Sequence, residues 1–168
     1  TYTDTGSSGT DTIVATGTGA VDIGFLKFSA TNGIEAVDGT GTTGVVRLLG
    51  NWEANSLDFS TVQLLGTNIR IDGGYGRDTI VGSSANDTII GGGDSDRVNG
   101  GAGSDNYLVS GNEAGGWSSF QGYDTYTDTG SSGTDTIVAT GTGAVDIGFL
   151  NFSATSGIEA VDGTGATG

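Results

Sequence analysis

Residues 73–108 read GGYGRDTIV, GSSANDTII, GGGDSDRVN, GGAGSDNYL, four blocks of nine without a gap. Each block opens on glycine and carries aspartate at its sixth position: Asp78, Asp87, Asp96 and Asp105. Two positions after each aspartate stands Ile80, Ile89, Val98 or Tyr107. The first six positions of a block are rich in glycine, which accepts positive φ without a Cβ clash. The last three, such as Thr79-Ile80-Val81, suit a short strand. A chain that repeats turn and strand in every block winds into coils of two blocks. Successive coils stack as parallel strands, with the apolar residue of each block pointing inward. The aspartate of one turn then lies over the aspartate two blocks on, Asp78 over Asp96 and Asp87 over Asp105.

Stacked carboxylates repel one another unless a cation lies between them. Calcium suits such a stack, because it takes 6–8 oxygen ligands in flexible geometry. The carboxylates supply some of these oxygens and the glycine-rich turns supply carbonyls. The candidate turn residues are Gly73, Gly74 and Gly76; Gly82; Gly91 and Gly93; and Gly100, Gly101 and Gly103. Two complete sites are expected, one between turns 73–78 and 91–96, the other between turns 82–87 and 100–105. Asp94 either adds an oxygen to the first site or faces solvent. Aspartate also caps turns through its own backbone, but the unbroken nine-residue phase favours the cation. Asp11, Asp124 and Asp135 lie in isolated blocks, where partial or weaker sites are expected.

These blocks resemble the nonapeptide GGxGxDxUx of the RTX (repeats-in-toxin, haemolysin-type) calcium-binding family. Block one fits throughout, at Gly73, Gly74, Gly76, Asp78 and Ile80; block four fits with Tyr107 at the apolar position. Block two departs at Ser83 and Ala85, and block three has Asp94 where the fourth-position glycine is usual. These departures are expected to weaken the carbonyl part of the sites more than the carboxylate part. The resemblance implies an all-β fold, a right-handed parallel β-solenoid that is locally a calcium β-roll. It also implies secretion by a type I route.

A second regularity is longer. Residues 125–168 repeat residues 1–44 with three differences: Lys27 against Asn151, Asn32 against Ser156, and Thr42 against Ala166. The chain therefore reads as one unit (1–124) and the start of a near-identical next unit (125–168), an excerpt of a tandem array. Within the unit, 1–72 is expected to form wider, metal-free coils, 73–108 the calcium roll, and 109–124 a loop and restart. In 57–71, Leu57/Phe59, Val62/Leu64 and Ile69/Ile71 alternate with Asp58, Gln63 and Arg70, a strand period. Val21, Ile23, Phe25, Leu26 and Phe28 read as a strand with a bulge. Stretches 33–37 and 45–49 read as short strands, and NWEANS (51–56) holds one helical turn at most.

Composition bounds the function. Twenty acidic residues against five basic ones leave a formal charge of −15, which argues against nucleic acid and anionic membrane surfaces as partners. The chain has no Cys and no His, which removes disulfides, thiolate and imidazole metal sites, and the commonest nucleophile–base pairs. Glu35, Glu53, Glu113 and Glu159 show no spacing suited to acid–base catalysis. Arg47, Arg70, Arg77 and Arg97 are expected to face outward and offset local negative charge. Trp52, Trp117, Tyr75 and Tyr123 are expected in core or loop packing rather than on a carbohydrate-stacking face. The Thr-Gly-Thr runs at 16–18 and 40–42 lack the regular spacing of an ice-binding array.

The leading expectation is therefore a non-catalytic, calcium-binding structural repeat of an extracellular adhesin, filament or surface-layer-type protein. Its partners would be calcium ions and neighbouring repeat units, with self-assembly into rods or filaments. The rivals are a secretion module of an exported protease, lipase or polysaccharide-modifying enzyme, and a carbohydrate- or ice-binding solenoid.

Overall fold

The computed structural model describes residues 2–5, 8–110, 123–130 and 132–167. Its strands in chain order are β1 (Thr12–Val14), β2 (Val21–Gly24), β3 (Lys27–Phe28), β4 (Ala36–Asp38), β5 (Val46–Asn51), β6 (Ser56–Asp58), β7 (Gln63–Leu65) and β8 (Ile69–Gly74). There follow β9 (Thr79–Val81), β10 (Thr88–Ile90), β11 (Arg97–Asn99), β12 (Asn106–Ser110), β13 (Thr125–Thr127), β14 (Thr136–Thr142), β15 (Ala160–Asp162) and β16 (Ala166–Thr167). Short 3₁₀ turns at Ala30–Asn32 and Ala154–Ser156 are the only helical segments among the described residues. The chain is all-β, and among the described residues its strands pair in parallel into three sheets.

One sheet runs β15-β14-β12-β10-β8-β5-β2, with β16 paired to β14; a second runs β13-β11-β9-β6-β3; the third is β1-β4-β7. Early coils therefore have three sides, and later ones two. The register gives the coil lengths directly. Val46 pairs with Val21, and Ile69 with Val46, so the early coils are longer than two nonapeptide blocks. Ile89 pairs with Ile71, and Tyr107 with Ile89, each step being two blocks. The two-block coil read from the nonapeptides is thus the coil that forms. The third face stops at β7, because a glycine-rich turn replaces a corner, a strand and a second corner.

Packing follows coil width. The wide coils enclose Phe25, Phe28 and Phe59, with Phe28 stacked on Phe59 at 4.8 Å between ring centres. The narrow coils leave room for one side chain per block, and Ile80, Ile89, Val98 and Tyr107 fill it, each no more than 1% exposed. Asp58 is half-buried while Gln63 and Arg70 are exposed, so the polar residues of 57–71 sit on the outer side of their strands.

Two expectations need correction. The segment 21–28 is not a bulged strand: β2 and β3 are separate, and the chain turns a corner between them, with Phe25 buried and Leu26 exposed. The change of phase at Leu26 marks that corner. NWEANS, read as one helical turn at most, holds none: β5 runs into it and β6 leaves from it. The aromatics expected in packing are on the surface. Trp52 is 81% exposed and stacks on the exposed Tyr75, ring centres 5.5 Å apart, and Tyr123 is also exposed. Trp117 and Glu113, like most of the 109–124 segment, lie outside the described residues.

Candidate metal centre

The glycine-rich turns stack as their spacing requires. Turn 91–96 lies on turn 73–78, where the Gly93 N–H donates to the Gly74 carbonyl at 2.8 Å. Turn 100–105 lies on turn 82–87, where the Ala102 N–H donates to the Ser83 carbonyl at 3.3 Å. Gly76 and Gly103 take φ of 99° and 116°, in the region that glycine enters without strain. Asp94 stands at the same block position with φ 75°, a conformation aspartate tolerates better than most residues. It is exposed, and its charge bears on Asp78 and Asp96.

The aspartates form two ladders along the coil axis. In the first, the Asn55 N–H donates to Asp78 Oδ1 (2.7 Å), the Asp78 N–H to Asp96 Oδ1 (2.8 Å), and the Asp96 N–H to Asp124 Oδ1 (2.9 Å). In the second, the Asp87 N–H donates to Asp105 Oδ1 (2.8 Å), the Asp105 N–H to Asp135 Oδ1 (2.7 Å), and the Asp135 N–H to Glu159 Oε2 (2.7 Å). Each carboxylate but that of Asp87 thus satisfies one backbone donor of the preceding coil and keeps its second oxygen for another partner. Asp11 and Glu35 repeat the last step near the other end, the Asp11 N–H donating to Glu35 Oε2 at 2.8 Å.

The second oxygens divide the ladders into unlike members. Oδ2 of Asp78, Asp96 and Asp105 is buried without a hydrogen-bond partner among the described residues. A buried carboxylate oxygen left in this way is costly unless a cation or proton meets it. Asp124 differs, because its Oδ2 accepts from the Tyr126 hydroxyl at 2.8 Å. Asp87 differs too: Ser83 donates its backbone N–H to Oδ2 and its hydroxyl to Oδ1. The Ser83 departure from the repeat pattern thus acts on the carboxylate itself.

First-position glycines make room around these oxygens. A Cβ on Gly73 would overlap Asp78 Oδ2 and the Gly91 carbonyl oxygen. One on Gly82 would overlap the Gly100 carbonyl and lie 2.7 Å from Asp87 Oδ2; one on Gly91 would lie 2.8 Å from Asp96 Oδ2. On Gly100 it would overlap Asp105 Oδ2. Each cradle therefore presents a carboxylate oxygen, and at Gly73 and Gly82 also a carbonyl oxygen of the next coil. That all-oxygen donor set fits a hard cation such as calcium.

Burial shapes the electrostatics. Removal from water pushes the Asp78 and Asp87 carboxyls up to about 6, Asp105 to about 7 and Asp96 to about 8. Neighbouring carboxylates add to the rise: Asp124, Asp78 and Asp94 at Asp96, and Asp87, Asp135 and Asp128 at Asp105. Asp124, Asp128 and Asp135 are also raised, first by burial. The site favours positive charge from every side, and among the described residues Arg77 and Arg97 are exposed rather than inserted between the turns.

Sequence reading missed four members. Asn55 ends the first ladder as a neutral residue, buried, with its Oδ1 accepting from the Asn51 N–H. Glu159 extends the second ladder, and Glu35 meets Asp11, both from outside the nonapeptide phase. Asp128 lies with Asp105 and Asp135 in a group whose carboxylate oxygens fall within 4.8 Å of one another. No spacing rule finds Asp128, because with Thr129 it forms an insertion between blocks. Arg47, as expected, faces outward, in a bidentate pair with Asp22 at 2.7 Å.

Residues 72–107 match the family described as the RTX calcium-binding nonapeptide repeat, in four copies. No curated protein and no solved structure matches the chain. RTX nonapeptide repeats bind Ca²⁺, and the buried, unpartnered carboxylate oxygens of this segment suit that ion.

Proposed function

We propose, on the premise that residues 72–107 are RTX calcium-binding nonapeptide repeats, that this chain is a structural spacer whose folding is completed by calcium. The observation that supports this reading is the set of buried Oδ2 atoms on Asp78, Asp96 and Asp105. Asp78 with the Gly91 carbonyl, and Asp87 with the Gly100 carbonyl, would hold ions between successive turns. Asp96 and Asp105 would complete these sites from the coil above. Calcium, when bound, supplies the positive charge that lets the ladders stay ionised inside the stack. The first-position glycines keep the cradles clear, and Ser83 orients Asp87 by donating to both of its oxygens.

The finer reading is a repeat of a secreted surface adhesin, filament or surface-layer-type protein. The near-identical repetition of a large unit supports it, since an array of such units makes length rather than chemistry. So does a solenoid architecture, in which each coil contacts mainly its neighbours along the axis. Among the described residues no helix is long and apolar enough to cross a membrane. The repeat segment is a structural calcium module, and its aspartates Asp78, Asp87, Asp96 and Asp105 sit in the turn ladders rather than in an acid–base pair.

Extracellular calcium modules bind with dissociation constants of roughly 10⁻⁴–10⁻³ M. At calcium about 100 times that value, each site adds about 2.7 kcal/mol to folding, a large part of a domain's usual margin of about 5–15 kcal/mol. Circular dichroism in calcium and in chelator tests the proposal. The β signal and melting temperature are expected to fall on chelation and to recover on adding calcium back. Identical spectra and melting curves would defeat it.

A further inference from the structure

On the calcium role proposed above, we infer that Asp128 completes a cation site at the seam between one repeat unit and the next. Asp105 belongs to the last nonapeptide of the first unit, while Asp128 and Asp135 belong to the start of the second. The three carboxylates lie within 4.8 Å of one another, and among the described residues no other such group forms. Asp105 is fully buried, and its Oδ2 has no hydrogen-bond partner there; Asp128 Oδ1 is likewise buried and unpartnered. Three carboxylates this close repel strongly unless a cation joins them.

Asp128 is held in place from both units. The backbone N–H groups of Gly130 and Gly101 favour the charged form of its carboxylate, and its own N–H donates to the Ser156 carbonyl at 2.7 Å. The next residue, Thr129, is gripped by Asn99 of the first unit: the Thr129 N–H donates to Asn99 Oδ1 at 3.2 Å, and Asn99 Nδ2 to the Thr129 hydroxyl at 3.1 Å. An insertion that lies outside the nonapeptide phase is thereby fastened over the last calcium-type turn.

The first unit contains the same half of the arrangement. Asp4 is the counterpart of Asp128, its N–H donates to the Asn32 carbonyl at 2.8 Å, and it lies against Asp11, the counterpart of Asp135. No counterpart of Asp105 joins them among the described residues. The site is thus a joint that needs residues from two consecutive units, with calcium as the class of ion its oxygens fit.

The test counts calcium ions on the chain by native mass spectrometry, comparing wild type with Asp128→Asn and Asp4→Asn. Asp128→Asn is expected to bind one ion fewer, with hydrogen-exchange protection lost around 123–138 and kept in 73–99; Asp4→Asn is expected to match wild type. Asp128→Glu, which keeps the charge on a longer arm, is expected to retain the ion with several-fold weaker binding, and supplies the readout should the Asn variant fail to fold. Equal counts in wild type and Asp128→Asn, or unchanged affinity in Asp128→Glu, overturn the seam site while leaving the calcium role intact. A wild-type chain that takes up no calcium overturns both.

Discussion

Asp96 shows how one side chain carries both the cost and the use of this fold. Its Oδ1 is committed to the Asp78 N–H, its Oδ2 is buried without a hydrogen-bond partner among the described residues, and burial together with Asp124, Asp78 and Asp94 raises its pKa. An amide in its place keeps the acceptor and removes the charge. Asp96→Asn is therefore expected to raise the melting temperature in chelator and to lower it in saturating calcium, by up to about 2.7 kcal/mol at about 100 times the dissociation constant. Calorimetry under both conditions reads the change of sign. Protons act on the same oxygens. Folded-state values of about 6 to 8 at Asp78, Asp87, Asp96 and Asp105 stand above the usual unfolded value of about 3.9. In chelator, stability is then fully present below about pH 4 and lost as pH rises through 6 to 8. The metal-free chain is expected to melt higher at pH 5 than at pH 8. In saturating calcium the order reverses, because protons displace the ion. Melting curves at the two pH values, with and without calcium, check both halves.

At the scale of elements, two kinds of coil are held by different forces. The three-sided coils bury Phe25, Phe28, Phe59, Leu48 and Leu57, so the hydrophobic effect carries them. The two-sided coils bury one apolar residue per block and depend on the carboxylate ladders. Chelation is expected to erase hydrogen-exchange protection in 79–108 while leaving it in 46–65. Phe59→Ala, which empties a fully buried position, is expected to cost about 3–5 kcal/mol equally in calcium and in chelator. Protection lost uniformly across both segments on chelation would show instead that the coils melt as one block. Much of this contrast was legible beforehand, since period-two alternation in 57–71 and the nonapeptide phase in 73–108 are distinct patterns. The corner between β2 and β3 was not, because a corner and a bulge shift the phase of buried residues alike and only the neighbouring coil distinguishes them.

For the molecule as a whole, the seam decides what an array of units does. β14 of the second unit pairs with β12 of the first from Asn106↔Thr136 to Ser110↔Thr140, and β13 pairs with β11. Parallel strands continue across the boundary, which covers strand edges that would otherwise be free to pair elsewhere. A multi-unit chain in calcium is expected to form a stiff rod, with each unit adding on the order of 30 Å at about 4.8 Å between stacked strands. Electron microscopy would show it, and separate beads on a flexible thread in saturating calcium would contradict it.

The sequence by itself determined the all-β class, the two-block coil, the inward set Ile80, Ile89, Val98 and Tyr107, and calcium as the ion. These follow from short-range periodicity, and a repeat of fixed length imposes the same geometry on every turn. It also placed Asp78, Asp87, Asp96 and Asp105 in register. Only the tertiary structure decided what each carboxylate does with its second oxygen. Ser83 occupies both oxygens of Asp87, Tyr126 occupies Oδ2 of Asp124, and Oδ2 of Asp78, Asp96 and Asp105 has no hydrogen-bond partner among the described residues. It alone brought Asn55 and Glu159 into the ladders and Asp128 against Asp105. Those contacts run between coils of unequal length, where residue spacing no longer maps onto position along the axis, so no pattern within the chain could reveal them.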